Sequence, residues 1–265
     1  MEFTEEQLQR YARHIVLPEV GGVGQEKLLS GKVLVIGAGG LGAPLLLYLA
    51  AAGVGTIGVV DDDLVDLSNL QRQVIHTTQK IGLPKVESAA TAVAPVNPDI
   101  NFQPHHQRVK ADNILALIEE YDIIADGSDN FETRFLVNDA CHLAGKTLVS
   151  AAILRFEGQV STFKSYMGED YPCYRCLYRR PPPANLVPSC AEGGVLGALA
   201  GTVGSIQATE VLKEIMEVGT SMSGNLILYN ALETEFRKIS LKRDIDCPLC
   251  GNKPTILDLS IHSEI

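Results

Sequence analysis

The feature that most constrains the fold is a glycine-rich turn between an apolar strand and an apolar helix. Residues 33–36 are continuously apolar, which is typical of a parallel strand covered on both faces. Three glycines in the spacing G-x-G-x-x-G follow this strand: Gly37, Gly39 and Gly42. They permit a tight turn and close approach of a phosphate to the N-terminus of the helix predicted at 41–52. With a further strand at 57–60, the segment predicts one strand–turn–helix–strand unit of a doubly wound sheet.

The same alternation continues along the chain more weakly. A first helix is predicted after Thr4, because Gln7 completes a capping-box pattern. Further helices are predicted at 85–94, 111–120, 131–144 and 197–217. Strands are predicted at 100–103, 121–125, 147–152, 159–163, 225–229 and 235–241. We therefore expect a Rossmann-like α/β fold, with a largely parallel sheet that continues into antiparallel strands.

One domain is expected over residues 1–265. It comprises an N-terminal helical segment at 1–30, a nucleotide-binding core at 31–165 and a cysteine-bearing part at 166–265. Within the last part, a mobile loop is predicted at 177–190, where three consecutive prolines disfavour both helix and sheet.

The amino-acid composition disfavours several classes of partner. The 32 acidic and 22 basic residues give a formal net charge of -10, which disfavours nonspecific binding to nucleic acid or anionic lipid. No apolar run approaches the length of a membrane span, and the N-terminus lacks the pattern of a secretory signal. A cytoplasmic protein is therefore expected, in which paired cysteines favour metal or redox chemistry over structural disulfides.

The residues after the glycine turn indicate which nucleotide binds. Asp61 ends the second strand and could accept hydrogen bonds from ribose hydroxyls, so the turn alone would favour a nicotinamide dehydrogenase. Arg72 and Lys85 follow, and two cations suit a triphosphate better than a dinucleotide. Asp129 follows another apolar strand, where a carboxylate could hold Mg²⁺. Each residue has a plainer alternative, either a solvated surface charge or a helix cap.

Two C-x-x-C pairs predict a zinc site. Each pair can supply two thiolates to a tetrahedral ion, and the four candidates are Cys173, Cys176, Cys247 and Cys250. A thioredoxin-like redox pair is the alternative, although it needs only one such motif. Cys141 has apolar neighbours and is expected in the core. Cys190 precedes a helix, so it is either a nucleophile with a lowered pKa or an inert, partly buried thiol.

Taken together and in order, these motifs resemble the MoeB/ThiF family of adenylating enzymes, relatives of the ubiquitin-activating enzymes. The resemblance covers nearly the whole chain, through the segments RYARHIVL, GAGGLG, SNLQRQ, KVES, GSDN, CYRC and CPLCG. It implies an adenylyltransferase in which the C-terminal Gly-Gly carboxylate of a ubiquitin-like sulfur-carrier protein attacks the α-phosphate of Mg-ATP.

The resemblance also implies site residues. Those implied at the nucleotide are Gly40, Asp61, Ser68, Asn69, Leu70, Gln71, Arg72, Lys85, Asp129 and Asn130. Catalytic roles are implied for Arg72, Lys85 and Asp129, and the four cysteines of the C-x-x-C pairs match zinc ligands. Arg13 resembles an arginine that reaches the ATP of a partner subunit, which implies a homodimer. Cys190 matches a position where some relatives bond the carrier covalently and others do not.

Several alternatives stay open. A MoaD-like carrier in molybdenum cofactor biosynthesis is expected first, and a ThiS-like carrier in thiamine biosynthesis is its nearest rival. A separate sulfur donor is expected, such as a cysteine desulfurase or a rhodanese. The other classes considered are an NAD-dependent oxidoreductase and a noncatalytic docking module that keeps the fold.

Overall fold

The central sheet forms from the segments that the sequence predicts as strands. The computed structural model describes residues 3–183 and 193–263. Within these residues the strands are β1 Lys32–Ile36, β2 Thr56–Val60, β3 Asn101–His105, β4 Ile123–Asp126, β5 Thr147–Leu154, β6 Glu157–Phe163, β7 Asn225–Asn230 and β8 Glu235–Ser240. They form one sheet in the order β3-β2-β1-β4-β5-β6-β7-β8. The first five positions in this order are parallel, and β6 to β8 are antiparallel, as predicted.

Helices cover both faces of the parallel half. In the described residues the α-helices are α1 Glu5–Arg10, α2 Ala12–Ile15, α3 Gly21–Ser30, α4 Gly42–Ala52, α5 Lys85–Val93, α6 Ile114–Glu119, α7 Phe131–Leu143, α8 Tyr174–Leu177 and α9 Gly197–Met216. One core lies between the sheet and α3, α4, α5 and α9, and a second core lies between the opposite face and α6 and α7. Because β1 contributes to both cores through alternate side chains, its continuously apolar sequence is explained.

The strand order reverses between β1 and β4. Strands β2 and β3 lie on one side of β1, and strands β4 and β5 lie on the other side. In open α/β sheets the crevice for a ligand lies beyond the carboxyl ends of strands at such a point. Ile36, the last residue of β1, pairs with Val60 and Asp126, so the segments after all three strands begin together at this edge.

Some element ends differ from the sequence prediction for identifiable reasons. The sixth helix starts at Ile114, three residues later than predicted, because the Asn113 side chain accepts from Lys110 N at 2.8 Å and donates to the Arg108 carbonyl at 2.9 Å. The capping box of α1 forms as predicted, with reciprocal Thr4–Gln7 bonds of 3.1 Å. Much of the predicted loop at 177–190, including Cys190, lies outside the described residues.

Among helices in the described part of the chain, none combines the length and apolarity that crossing a bilayer requires.

Candidate functional site

A cavity of about 670 Å³ opens at the carboxyl edge of the parallel strands. One end is lined by the glycine turn and by polar residues that follow β2 and β4. The other end extends over the antiparallel strands, where Gly158, Gln159 and Leu228 form its floor and Tyr178 lies in its wall. The cavity therefore extends from the switch point of the sheet over the antiparallel strands, and we call this outer part the channel.

The glycine turn needs glycine at particular positions. Gly37 has a φ of 93°, a conformation that L side chains rarely adopt. A Cβ on Gly42 would lie 2.0 Å from the Gly37 carbonyl oxygen, so this close contact between turn and helix excludes any larger residue. Gly40 lines the cavity, and a Cβ there would lie 3.2 Å from Ala200. The backbone at the start of α4 is thus left open to a phosphate.

Asp61 fixes the glycine turn against the end of β2. Its carboxylate accepts a hydrogen bond from Ala38 N at 2.8 Å and another from Asp63 N at 2.9 Å. Burial raises the pKa of Asp61, and the positive charge of Lys85 opposes that rise. Lys85 itself is buried and donates to Asp63 at 2.6 Å. Asp61, Asp63 and Lys85 all line the cavity.

Arg72 is the member of the SNLQRQ segment predicted at the site that reaches the cavity. Its Nη1 donates to the Ser68 carbonyl at 3.1 Å, which holds the guanidinium beside the glycine turn. The four other predicted residues of this segment do not line the cavity: Ser68, Asn69, Leu70 and Gln71. Gln71 packs instead against α9, where a Cβ on Gly197 would lie 2.0 Å from its carbonyl oxygen. Their nucleotide contacts stay predictions.

Asp129 and Asn130 lie in the turn between β4 and α7. The Asn130 side chain accepts from Thr133 N at 2.8 Å, so it caps α7. Asp129 is exposed at the cavity, and within residues 3–183 and 193–263 its carboxylate has no hydrogen-bond or ion-pair partner. The helix-cap alternative therefore applies to Asn130, and it leaves the Asp129 carboxylate available for a ligand.

Among the cavity residues that were not predicted at the site are two buried polar side chains, Arg134 and Gln73. Arg134 is 6% exposed and lies one turn into α7. Gln73 is 4% exposed, and its Oε1 atom is buried without a partner in the described structure. The sequence pattern that could have identified Arg134 is a charged side chain on the sheet-facing side of an amphipathic helix. Gln73 gave no separate signal beyond its place in SNLQRQ.

The four cysteines of the two C-x-x-C pairs converge. The sulfur–sulfur distances are 3.9 Å for Cys173–Cys176, 3.6 Å for Cys173–Cys247 and 3.4 Å for Cys176–Cys250. All four sulfurs lie within 4.8 Å of one another. Tetrahedral zinc with Zn–S bonds of about 2.3 Å would place sulfurs about 3.8 Å apart, so the donor set fits the ion. Two converging pairs also disfavour the thioredoxin-like alternative.

The three remaining residues singled out from the sequence, Cys141, Arg13 and Cys190, do not line the cavity in the described part of the structure. Cys141 is buried in the core as expected, and burial raises the pKa of its thiol, which makes it unreactive. Arg13 is exposed and does not line the cavity of its own chain. Cys190 lies outside the described residues, so its role stays a prediction.

Three curated relatives match most of this chain. The sulfur carrier protein adenylyltransferase of Thermus thermophilus is 49% identical over 261 residues, which cover 98% of this chain and 96% of that protein. The SAMP-activating enzyme E1 of Haloferax volcanii is 49% identical, with 92% of this chain and 89% of that protein covered. The adenylyltransferase and sulfurtransferase MOCS3 of Bos taurus is 51% identical over 97% of this chain, but this match covers only 56% of that longer protein.

The chain also matches a solved structure and the profile of a protein family. The crystal structure of Escherichia coli MccB with MccA-N7isoASN superposes with a TM-score of 0.81, covering 92% of this chain and 75% of that one. At 21% sequence identity this likeness shows the shared fold. The profile of the ThiF family matches residues 11–249. With that match and relatives near half identity, the chain belongs to the ThiF family.

Proposed function

We propose that this adenylyltransferase transfers AMP from ATP to the C-terminal carboxylate of a ubiquitin-like sulfur-carrier protein. The observation that carries the proposal is the continuity of the cavity. Its inner end brings Arg72, Lys85 and Asp129, whose carboxylate has no partner among the described residues, to the glycine turn. Its outer end is a channel over β6 and β7, suited to an extended chain terminus. The names of the relatives support adenylation and a sulfur-carrier substrate.

The residues suit in-line attack by a carboxylate. One carboxylate oxygen forms a bond to the α-phosphorus of ATP, the bond to the bridging oxygen breaks, and pyrophosphate leaves with that electron pair. A carboxylate is already ionised at neutral pH, so no general base is required. The protein must align two anions and offset the charge on the leaving group. Arg72 suits bidentate contact with phosphate and Lys85 suits a point-charge contact.

The proposed function includes two metal ions, Mg²⁺ and Zn²⁺. Asp129 offers a free carboxylate oxygen, the type of ligand that Mg²⁺ prefers beside phosphates. The four clustered cysteines would hold Zn²⁺ in a closed, four-thiolate site, which leaves no position for a substrate and indicates a structural role.

The finer assignments rest on the family resemblance. A MoaD-like carrier of the molybdenum cofactor pathway is proposed first, and a ThiS-like carrier of the thiamine pathway second. Arg13 would act on the ATP of a second copy in a homodimer, and a separate protein would donate sulfur. The whole chain would act as one adenylation domain, in which residues 166–265 carry the zinc site and contact the carrier.

ATP–pyrophosphate exchange with purified protein tests the proposal. We expect exchange that depends on one carrier and is lost when the terminal glycine of that carrier is removed. Both candidate carriers should be compared, because the carrier that supports exchange identifies the pathway. Tight NAD binding, with no exchange from either carrier, would instead favour the oxidoreductase alternative.

A further inference from the structure

The turn that carries Asp129 is fixed by a buried polar network. Asp126 ends β4 and is 1% exposed. Its Oδ1 accepts from Ser128 N at 2.9 Å and from Ser128 Oγ at 2.6 Å, and its Oδ2 accepts from Ser150 Oγ at 3.1 Å. From α9, the Gln207 amide donates to the Asp126 carbonyl at 2.9 Å. The incoming side of the turn is therefore tied to the sheet and to α9.

Arg134 closes this network from α7. Its Nη1 donates to the Ala151 carbonyl at 2.7 Å and lies 3.5 Å from Asp126 Oδ2, while its Nη2 donates to the Ser128 carbonyl. One guanidinium therefore connects α7, β5 and the turn, with its charge balanced by Asp126. A planar guanidinium can serve several acceptors in fixed directions, which a lysine ammonium cannot reproduce.

Asp129, which has no side-chain partner in the part of the chain that the structure describes, lies between two fixed neighbours. Ser128 is held through its amide, hydroxyl and carbonyl, and Asn130 is held as the cap of α7. The backbone on both sides of Asp129 is thus set before any ligand arrives, while its carboxylate stays free at the cavity. Such support is what holds a metal-binding carboxylate within the small tolerance that coordination requires.

We propose that Arg134 is a positioning residue that aims the Asp129 carboxylate at the metal of the bound nucleotide, by fixing the Ser128 carbonyl. The inference rests on the proposed function, because it takes Asp129 as the Mg²⁺ ligand. It goes beyond that function by assigning the metal affinity of the site to a residue that need not touch metal or nucleotide.

The test measures metal affinity directly. Mn²⁺ would be titrated into the full-length protein saturated with α,β-methylene ATP, and free Mn²⁺ followed by electron paramagnetic resonance. We expect Arg134→Gln to weaken Mn²⁺ binding by about 10- to 100-fold, the usual effect of losing a group that supports a metal ligand. Arg134→Lys keeps the charge beside Asp126 but not the bonds to both carbonyls, so it should weaken binding by a smaller factor. Arg108→Gln, an exposed arginine outside this network, is the matched control.

The outcomes separate this inference from the proposed function. Unchanged Mn²⁺ affinity in folded Arg134→Lys and Arg134→Gln would overturn the positioning role while leaving adenylation intact. A raised carrier KM with unchanged Mn²⁺ affinity would also overturn it, since Arg134 would then contact the carrier tail. If wild-type protein binds no Mn²⁺ with the nucleotide, the magnesium part of the proposed function fails as well. Thermal unfolding identifies folded variants, and Arg134→Lys carries the test if the glutamine variant does not fold.

Discussion

Two aspartates on either side of the start of α7 have opposite environments. Asp139 is 0% exposed, and its carboxylate accepts from Arg175 at 2.7 and 2.6 Å and bonds His262 at 2.8 Å. Asp129 is exposed and unpaired in the described structure. A paired, buried carboxylate contributes to stability, whereas an unpaired carboxylate in a cavity contributes little to it. Substitutions at the two positions should therefore affect different measurements.

Replacing Asp129 with alanine should abolish function without unfolding the protein. We expect adenylation to fall by about 100-fold or more, because a preorganised charge in the site is lost. The melting temperature should stay close to wild type, since no contact within the protein is removed. ATP–pyrophosphate exchange and thermal unfolding would be compared with Asp112→Ala, an exposed aspartate outside the cavity. Wild-type turnover in Asp129→Ala would remove the proposed role of this residue.

Replacing Asp139 with alanine should instead lower the stability of the folded protein. The change leaves Arg175, which is 4% exposed, as an uncompensated buried charge. Breaking a buried pair in this way costs about 3–5 kcal/mol. Urea unfolding would measure the free-energy change. If the free energy of unfolding falls by no more than about 0.5 kcal/mol, as for ordinary surface substitutions, this buried network contributes little to stability.

Elements in this fold are easier to predict from sequence than the contacts between them. The strand at residues 33–36, the glycine turn and the helix after it follow from local patterns, because periodicity and turn chemistry are local. Arg72 and Lys85 line the cavity, and their contacts with a nucleotide stay predictions. Arg134 was missed, because its bonds to Ser128 and Ala151 depend on how α7 packs against β5. The channel over β6 and β7 was missed for the same reason.

The proposed zinc site joins two elements that are far apart in sequence. It links α8 to residues 247–250, and a small cluster containing Leu249 and Ile256 packs around it. The same short helix contributes Tyr174 and Leu177 to the wall of the cavity. Metal binding at this position would therefore stabilise the outer part of the channel as well as the C-terminal segment.

Removing the metal should lower stability. We expect one zinc per chain in the purified protein and a lower melting temperature after chelation, because metal binding to the folded state raises the free energy of unfolding. Cys176→Ser should lose zinc, whereas Cys190→Ser should retain it as the matched control. Elemental analysis and thermal unfolding measure both effects. An unchanged melting temperature in metal-stripped protein would contradict a stabilising role.

At the scale of the whole molecule, the N-terminal helices hold Arg13 outside its own site. Tyr11 is 2% exposed, and its hydroxyl accepts from Asn97 at 2.8 Å, while His14 bonds Gln25 at 3.0 Å. These two anchors flank Arg13, which is exposed and absent from the cavity of its own chain. In the proposed homodimer, an arginine held in this way would be available to the ATP of the second copy.

Mixed dimers test that arrangement. Arg13→Ala alone should have little adenylation activity, and so should Asp129→Ala. A dimer of one subunit of each variant has one site that contains Asp129 and receives Arg13 from the other subunit. We therefore expect mixing to restore activity, up to about half of wild type per dimer at full exchange into mixed dimers. No recovery in dimers shown by mass measurement to be mixed would contradict action between subunits.

The mass of the carrier after reaction shows whether the protein adenylates it. Each candidate carrier would be incubated with the enzyme and Mg-ATP, without a sulfur donor, and its intact mass measured. We expect one carrier to gain a single adenylate, its form lacking the terminal glycine to gain none, and hydroxylamine to release the adenylate. If neither carrier gains an adenylate with folded, zinc-containing enzyme, the proposal that this chain adenylates a carrier of either pathway is contradicted.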